Sequence, residues 1–426
     1  MQKVLVTIKT MIKNVMKKEP VLSIAVILAI ISMFFVHPDA AYVSYIDFRT
    51  LAILFCLMVI VAGMREIGVF DYIAQSLLNR VQSISGIVMI LVLLCFFLSM
   101  VITNDVALIT FVPFAILILK RFPKAVRCHW LIPCVVMQTA AANLGSMMTP
   151  IGNPQNLYLY GKANLEASSF LGLMIPYTAL SLLLLIMWIL IHAKRKTDNE
   201  TNCMDGSKHK AVSANTQSRK ISDKLRLTVY LILFFLSIFA VGRVISIWIV
   251  FACVIAWAAA FDSKLFRNAD YALLGTFTAL FVFIGNLGRI PQFCSVLQNL
   301  IQTREVIIAV AASQVMSNVP AAILLSGFTN NYQALIIGTN LGGLGTMIAS
   351  MASLISFKYI SREDASLRGK YFIWFTAANV ILLVILLAAA KILGQLERDL
   401  IKKGRPFNIY CDRSSFLRLV CFNCCF

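Results

Sequence analysis

NLGSMMTPIGNPQNLYLY, residues 143–160, lies between two strongly apolar runs, WLIPCVVMQTAAA before it and FLGLMIPYTALSLLLLIMWILI after it. Two prolines, two glycines and three asparagines interrupt what would otherwise read as membrane helix. Irregular backbone at bilayer depth is tolerated only where protein buries it or where it lines a wet cavity. The stretch therefore reads as a broken transmembrane helix whose break has a use.

Composition supports a membrane setting. Of 426 residues, 60% are hydrophobic and 13% charged, and the mean hydropathy is +0.83. Soluble domains average about 45–50% apolar and about 25% charged. The net charge of +19 gathers in short connections between apolar runs. That pattern suits loops kept in the cytoplasm, so no nucleic-acid partner is expected. The basic start MQKVLVTIKTMIKNVMKKEP has no cleavage site and reads as a cytoplasmic arm, residues 1–20. Eleven cysteines show no disulfide or zinc spacing, and no metal site is expected. Four of them sit in CDRSSFLRLVCFNCCF, part of a polar tail at 395–426.

Candidate spans are 21–36, 49–64, 171–192, 227–241, 244–261, 271–288 and 371–394, with interrupted ones at 131–160 and 333–357. The amphipathic DYIAQSLLNRVQ, 71–82, is expected at the interface. The N-terminal arm, KRFPKAVR at 120–127, the linker 193–226 and KYISREDASLRGK at 358–370 are basic and expected on the cytoplasmic side. Parity then requires 85–120 to enter and leave by one face, as a re-entrant hairpin, and 305–329 to do so from the opposite face. The same count puts the tail outside, although its KKGR is basic. The expected fold is an all-α polytopic membrane protein of about 9–11 spans, with a first half at 21–192 and a second at 227–394.

The halves repeat one another. NLGSMMTPIGNPQNL (143–157) set against NLGGLGTMIASMASL (340–354) pairs Asn143 with Asn340, Gly145 with Gly342 and Thr149 with Thr346. SMVITNDVALITFVPF (99–114) set against SQVMSNVPAAILLSGF (313–328) pairs Ser99 with Ser313 and Asn104 with Asn318. Hairpins entering from opposite faces make the repeats inverted. In transporters of that plan, broken helices meet near the midplane, where half-helix N-termini face anions and unwound carbonyls coordinate cations. Gly145, Gly152, Gly342, Gly343 and Gly345 permit such backbone. Pro150 and Pro154 remove helical donors.

Asn104 and Asn318, flanked by Thr103 and Ser317, occupy the expected hairpin tips. Amides and hydroxyls turn toward either an anion or a cation. A single Asn would serve interhelical hydrogen bonding; a matched pair beside hydroxyls points to a site. Asp105 is the only carboxylate well inside an apolar region of the first half, and its counterpart is Val319. A buried carboxylate is costly as an anion, which suits reversible protonation or Na⁺ binding. The alternative is a helix cap at the tip. Arg65, Glu66, Arg243 and Arg289 sit at span ends and read as interfacial anchors.

These motifs resemble those of the ion transporter superfamily, in particular its citrate-transporter-like permeases. That group includes arsenite permeases, D-type sodium/proton antiporters and divalent-anion:sodium symporters. The resemblance covers most of residues 20–394. TPIGNPQN is similar to the Thr-x-Ile-Gly-Thr-Pro-Pro-Asn signature of the symporters' broken helix, with Asn153 and Gln155 as departures. SMVITND and QVMSNVP resemble their Ser-Asn-Thr tips, with Asp105 and Val319 in place of the third hydroxyl. The resemblance implies that Thr103, Asn104, Thr149, Gly152, Asn153, Asn156, Ser317, Asn318, Asn340, Gly342, Gly343 and Thr346 hold substrate and coupling cations; the reading of the residues themselves adds Pro154 and Asp105. It also implies alternating access by a moving hairpin-bearing domain and admits a homodimer.

The function expected is secondary active transport of a small anion, a carboxylate such as citrate or an oxyanion, coupled to H⁺ or Na⁺. The alternative is an arsenite or antimonite efflux permease or a sodium/proton antiporter; a passive channel is more remote. No ATP-binding motif is present, so a separate ATPase subunit enters only in the arsenite case; GGLGT at 342–346 lacks the following Lys-Ser/Thr. An intramembrane enzyme is not expected, because the four histidines lie at loops or span ends. No cofactor is expected beyond the coupling ion. The setting is a multi-pass protein of the cell membrane, with the N-terminus and linker cytoplasmic.

Overall fold

In the computed structural model, residues 19–81, 83–200 and 224–402 are described. Most of the basic arm, the centre of the linker and the cysteine-containing tail lie outside them. The described residues form α-helices and two short 3-10 turns, with no strand among them.

The first half runs α1 (Pro20–Phe35), α2 (Ala41–Tyr45), α3 (Phe48–Glu66), α4 (Val69–Leu78), α5 (Ile84–Ser99), α6 (Asn104–Leu119), α7 (Lys124–Ser146), α8 (Pro154–Lys162) and α9 (Ala167–Glu200). The second runs α10 (Lys224–Val241), α11 (Ile247–Phe261), α12 (Tyr271–Leu287), α13 (Pro291–Ile301), α14 (Glu305–Met316), α15 (Asn318–Leu325), α16 (Tyr332–Leu341), α17 (Met351–Glu363) and α18 (Arg368–Lys402). Starts are written locally. Asp47 caps α3 by accepting from the Thr50 amide at 3.0 Å, and Asp270 caps α12 through Leu273 at 2.9 Å. Proline opens α1, α8 and α13, where its missing N–H costs nothing.

Among the described residues, four helices are long and apolar enough to cross a membrane: α3, α9, α10 and α18. The pair α12 and α13, bent by 105°, would make a fifth. The rest of the expected spans are short or broken. Helices α5 and α6 have 16 residues each, and α14 and α15 have 12 and 8. At 1.5 Å per residue these reach about 24 Å at most, short of a ~30 Å hydrocarbon core. The breaks fall at 147–153 and 342–350. Two boundaries differ from the sequence reading. Helix α9 runs on to Glu200 and α18 to Lys402, because AKRKTDNE and QLERDLIK lack glycine and proline and favour helix. A steep turn at Pro291 leads into amphipathic α13, which no expected span included.

Packing follows one plan in both halves. Helix α5 lies on α7, and α14 lies on α16. The second piece of each broken helix then packs on the other half: α8 against α15 and α16, α17 against α6. Helix α7 is buried from Trp130 to Ser146, as expected of a helix apolar all round at the centre of a bundle. Outer helices instead expose large apolar side chains, among them Phe34, Ile373 and Val384, as a lipid-facing surface requires. The chain is an all-α polytopic membrane protein.

Candidate substrate and ion site

The hairpin tips carry the most strained backbone of the site. Thr103 has φ 61° and ψ 147°, and Ser317 has φ 75° and ψ 154°. That region is almost reserved for glycine and costs on the order of 1–3 kcal/mol per residue. Each tip is pinned by the residue after it. The Asn104 amide donates to the Gly152 carbonyl at 3.2 Å, and the Asn318 amide to the Ala349 carbonyl at 3.0 Å. Gly152 and Ala349 stand at matched positions in the two breaks, so the irregular carbonyls of each break are satisfied by the facing hairpin.

Other matched residues do matched work. The Thr149 hydroxyl donates to the Met100 carbonyl, and that of Thr346 to Gln314 at 3.2 Å. A Cβ on Gly145 would collide with the Phe96 carbonyl, and one on Gly342 would lie 2.6 Å from the Ser313 hydroxyl. These glycines let each hairpin lie flush on its broken helix. Asn153 and Ser350, matched in turn, both hold extended backbone where the second pieces begin.

The halves are then stitched by amides. The buried Asn143 carbonyl oxygen accepts from the Asn104 side chain at 2.9 Å and from the Ser350 hydroxyl at 3.0 Å. Asn340 donates to Asn156 at 2.6 Å, and Asn156 donates to the Thr149 carbonyl at 3.2 Å. Asn143 also donates to Gly343 at 3.5 Å, and a Cβ on Gly343 would stand 3.0 Å from the Asn318 amide nitrogen. Asn143 thus bonds both the first tip and the second break, and Gly343 lies beside the second tip. Asn153 donates to Ser146 at 2.6 Å. Four oxygens here are buried without a hydrogen-bond partner, Asn153 Oδ1, Gln155 Oε1, Asn340 Oδ1 and Asp105 Oδ1, as is the Gln155 amide nitrogen. Unsatisfied buried acceptors are costly in a membrane protein and await a donor or a cation.

Two cavities approach this centre from opposite ends of α3, a 19-residue helix about 28 Å long. One, of about 610 Å³, has Arg65, Glu66 and Asp270 exposed at its mouth and reaches Thr103, Asp105, Ile151 and Pro154. Its ionisable wall carries three carboxylates and one guanidinium. The other, of about 270 Å³, is lined by Asp47, Arg49, Tyr158 and Lys162. Ile53 faces this second cavity and Leu54 the first, so the partition on α3 is one residue thick, backed by Leu157 of α8. All three are at most 3% exposed, so neither cavity opens into the other through them.

The sequence-predicted residues fall into three groups. Asn104, Asn156, Asn318, Asn340, Gly342 and Gly343, with Asn153, form the buried stitching. Thr103, Asp105 and Pro154 line the larger cavity. Ser317, Thr149 and Gly152 serve their own tip and break, and Thr346 is exposed, held by Gln314. The second tip does not line the larger cavity, so the site is asymmetric. Asn143 and Ser350 escaped the candidate set, although the repeat pairing Asn143 with Asn340 pointed to the first. Gln314 escaped it too, and it holds the second break by donating to Gly342 at 2.9 Å and Leu344 at 2.8 Å. Glu66 was read as an anchor, and nothing in the sequence placed Asp270 beside Asp105.

Comparison with known proteins places the chain among transporters. A family model described as citrate transporter matches residues 5–333. An uncharacterized transporter of Methanocaldococcus jannaschii is 30% identical over 371 residues, 87% of this chain and 96% of that protein. The inner membrane protein YbiR of Escherichia coli (strain K12) is 30% identical over 370 residues, 84% and 93% respectively. A shorter match, 28% identical over 141 residues, is to the silicon efflux transporter LSI3 of Oryza sativa subsp. japonica, and covers 33% of this chain and 28% of that one.

Proposed function

The chain belongs to the citrate transporter family, and from that premise we propose that it moves a small carboxylate or oxyanion across the membrane by coupling it to H⁺ or Na⁺ through Asp105. One observation carries the reading. A carboxylate oxygen with no partner, Asp105 Oδ1, is buried at a strained tip, and its residue lines a cavity open at one end of the bundle. A proton or a sodium ion supplies what that oxygen lacks. The unpartnered oxygens of Asn153 and Asn340 extend the same capacity into the break. Bringing a cation in first neutralises the wall, which otherwise repels an anion. Substrate oxygens then meet amides, hydroxyls and the N-termini of α6, α8, α15 and α17.

Movement follows from the partition. With one cavity open to the site and Ile53, Leu54 and Leu157 closed, the arrangement is one of two states of an alternating-access cycle in which inverted hairpin-bearing halves shift against each other. A second reading is favoured by the three carboxylates facing one guanidinium. That balance suits a substrate that arrives uncharged, such as a protonated oxyacid, or a cation, and the likeness to a silicon efflux transporter points the same way. Purified protein in liposomes tests both. Flux of citrate, malate, phosphate, arsenite and silicic acid is followed with an imposed proton or sodium gradient. Accumulation of a carboxylate or oxyanion supports the first reading, and gradient-driven movement of arsenite or silicic acid alone supports the second. Equal flux with and without a gradient would make the protein a channel and remove both.

A further inference from the structure

The smaller cavity has a chemistry opposite to that of the larger one. Three cations surround it or border it: Arg49, Lys162 and Arg243. Two of them are spoken for. Arg49 donates to the Ala240 carbonyl at 3.1 Å, at the end of α10. Arg243 donates to the carbonyls of Tyr160 and Gly161, at 3.5 and 3.2 Å, at the end of α8. Cations there complete the unsatisfied ends of helices. The carboxylate in the cavity wall, Asp47, is also committed, since it accepts both the amide and the hydroxyl of Thr50.

Lys162 is different. Its Nζ donates to the Tyr158 and Ser326 hydroxyls, each at 3.2 Å, and to no helix carbonyl. Among the described residues no carboxylate lies within 4.0 Å of it. An ammonium has three donors, so one remains for whatever enters the cavity. The two hydroxyls lie 2.9 Å apart. Ser326 donates its proton to the Ile323 carbonyl at 2.8 Å, so the proton between the two hydroxyls is that of Tyr158, and both are committed. The third donor of the Lys162 ammonium is left on the wall of a cavity of about 270 Å³.

We propose that this cavity is a binding site for one small anion with carboxylate or phosphate-type oxygens, held by Lys162, which the Tyr158 and Ser326 hydroxyls hold in place. The site is separate from the break: Leu157 and Ile53 stand between it and Asp105, and its wall includes no residue of either hairpin tip. It joins the halves, because Lys162 and Tyr158 lie on α8 while Ser326 follows α15. An anion seated there would sit at the opposite end of α3 from the carboxylate-walled cavity. The proposal does not depend on coupling through Asp105.

Protection of Lys162 in the intact protein tests it. Lysines are acetylated with a water-soluble ester at fixed ionic strength, and labelling of the Lys162 peptide is read by mass spectrometry. Malonate or inorganic phosphate, replacing chloride, is expected to slow acetylation of Lys162 at least fivefold in a saturable way, with other lysines unchanged. No slowing at saturating malonate and phosphate would overturn the proposal. A lipid phosphate offers the same oxygens, so the assay is run in phosphatidylcholine nanodiscs and in nanodiscs containing phosphatidylglycerol. Protection without added anion in the second kind alone would identify the lipid as the source. Calorimetric titration with malonate supplies a second line: affinity should fall at least tenfold in Lys162→Gln and be kept in Lys162→Arg. Equal affinity in Lys162→Gln would overturn the site. Protection of the Lys162 peptide by malonate should persist in Asp105→Asn, a local readout that separates failure here from failure of the coupling role.

Discussion

Thr103 and Ser317, one on each hairpin tip, share a backbone conformation that almost only glycine adopts, φ 61° with ψ 147° and φ 75° with ψ 154°. Neither residue is glycine, and each precedes an asparagine whose amide is bound to the facing break. The strain is relieved on replacement. Thr103→Gly should stabilise the protein by about 1 kcal/mol, the released strain exceeding glycine's added flexibility in the unfolded chain. Thr103→Pro, which forces φ near −65°, should yield no monodisperse protein. Melting temperature and size-exclusion profiles in detergent check both.

Asn143 holds three partners in two halves of the chain. Asn143→Ala would strand the Asn104 amide and the Ser350 hydroxyl, with an expected loss of roughly 2–3 kcal/mol. Ser350→Ala should cost less, about 1 kcal/mol, because Asn143 keeps its bond to Asn104. A double-mutant cycle on the pair should return a coupling near 1 kcal/mol; additive effects would mean that the bond contributes nothing.

Gly145 and Gly342 are matched but not equivalent. A methyl group at 145 would collide with the Phe96 carbonyl oxygen, which cannot step aside, whereas at 342 it would lie 2.6 Å from the Ser313 hydroxyl and 2.8 Å from the Gly338 carbonyl oxygen. Gly145→Ala should therefore fold poorly whatever else is changed. Gly342→Ala should cost less than Gly145→Ala, and adding Ser313→Ala should recover only the share due to the hydroxyl, since Cβ of residue 313 and the Gly338 carbonyl remain at 2.8 Å; thermal unfolding measures both.

The two cavities make an accessibility prediction. In a background without native cysteines, Met58→Cys should react with a membrane-impermeant thiol reagent from one side only, and Gly161→Cys from the other. Both residues line cavities at opposite ends of α3. Labelling of the two from the same side would contradict the partition at Ile53, Leu54 and Leu157.

Much of this was legible beforehand. Apolar runs gave the helices, and glycine, proline and asparagine inside them gave the breaks, because such residues have no business in an uninterrupted membrane helix. Asn104 and Asn318 were legible as a pair, because amides at matched positions are rare in apolar sequence. The asymmetry was not. Which tip faces a cavity depends on how the halves are tilted, and no local residue pattern encodes that. Asp270 lies far along the chain from Asp105, and only packing brings it to the same cavity. Lys162 carries no signal in the sequence, since the absence of a carboxylate within 4.0 Å of it is a property of its neighbours.

The coupling role of Asp105 is the central claim, and one comparison tests it most directly. Wild-type protein and Asp105→Asn are reconstituted in liposomes, and two quantities are measured for the transported substrate: exchange without any ion gradient, and accumulation driven by a proton or sodium gradient. The account predicts that Asp105→Asn retains exchange but loses driven accumulation at least tenfold. Accumulation equal to wild type, with the same dependence on the gradient, would contradict it.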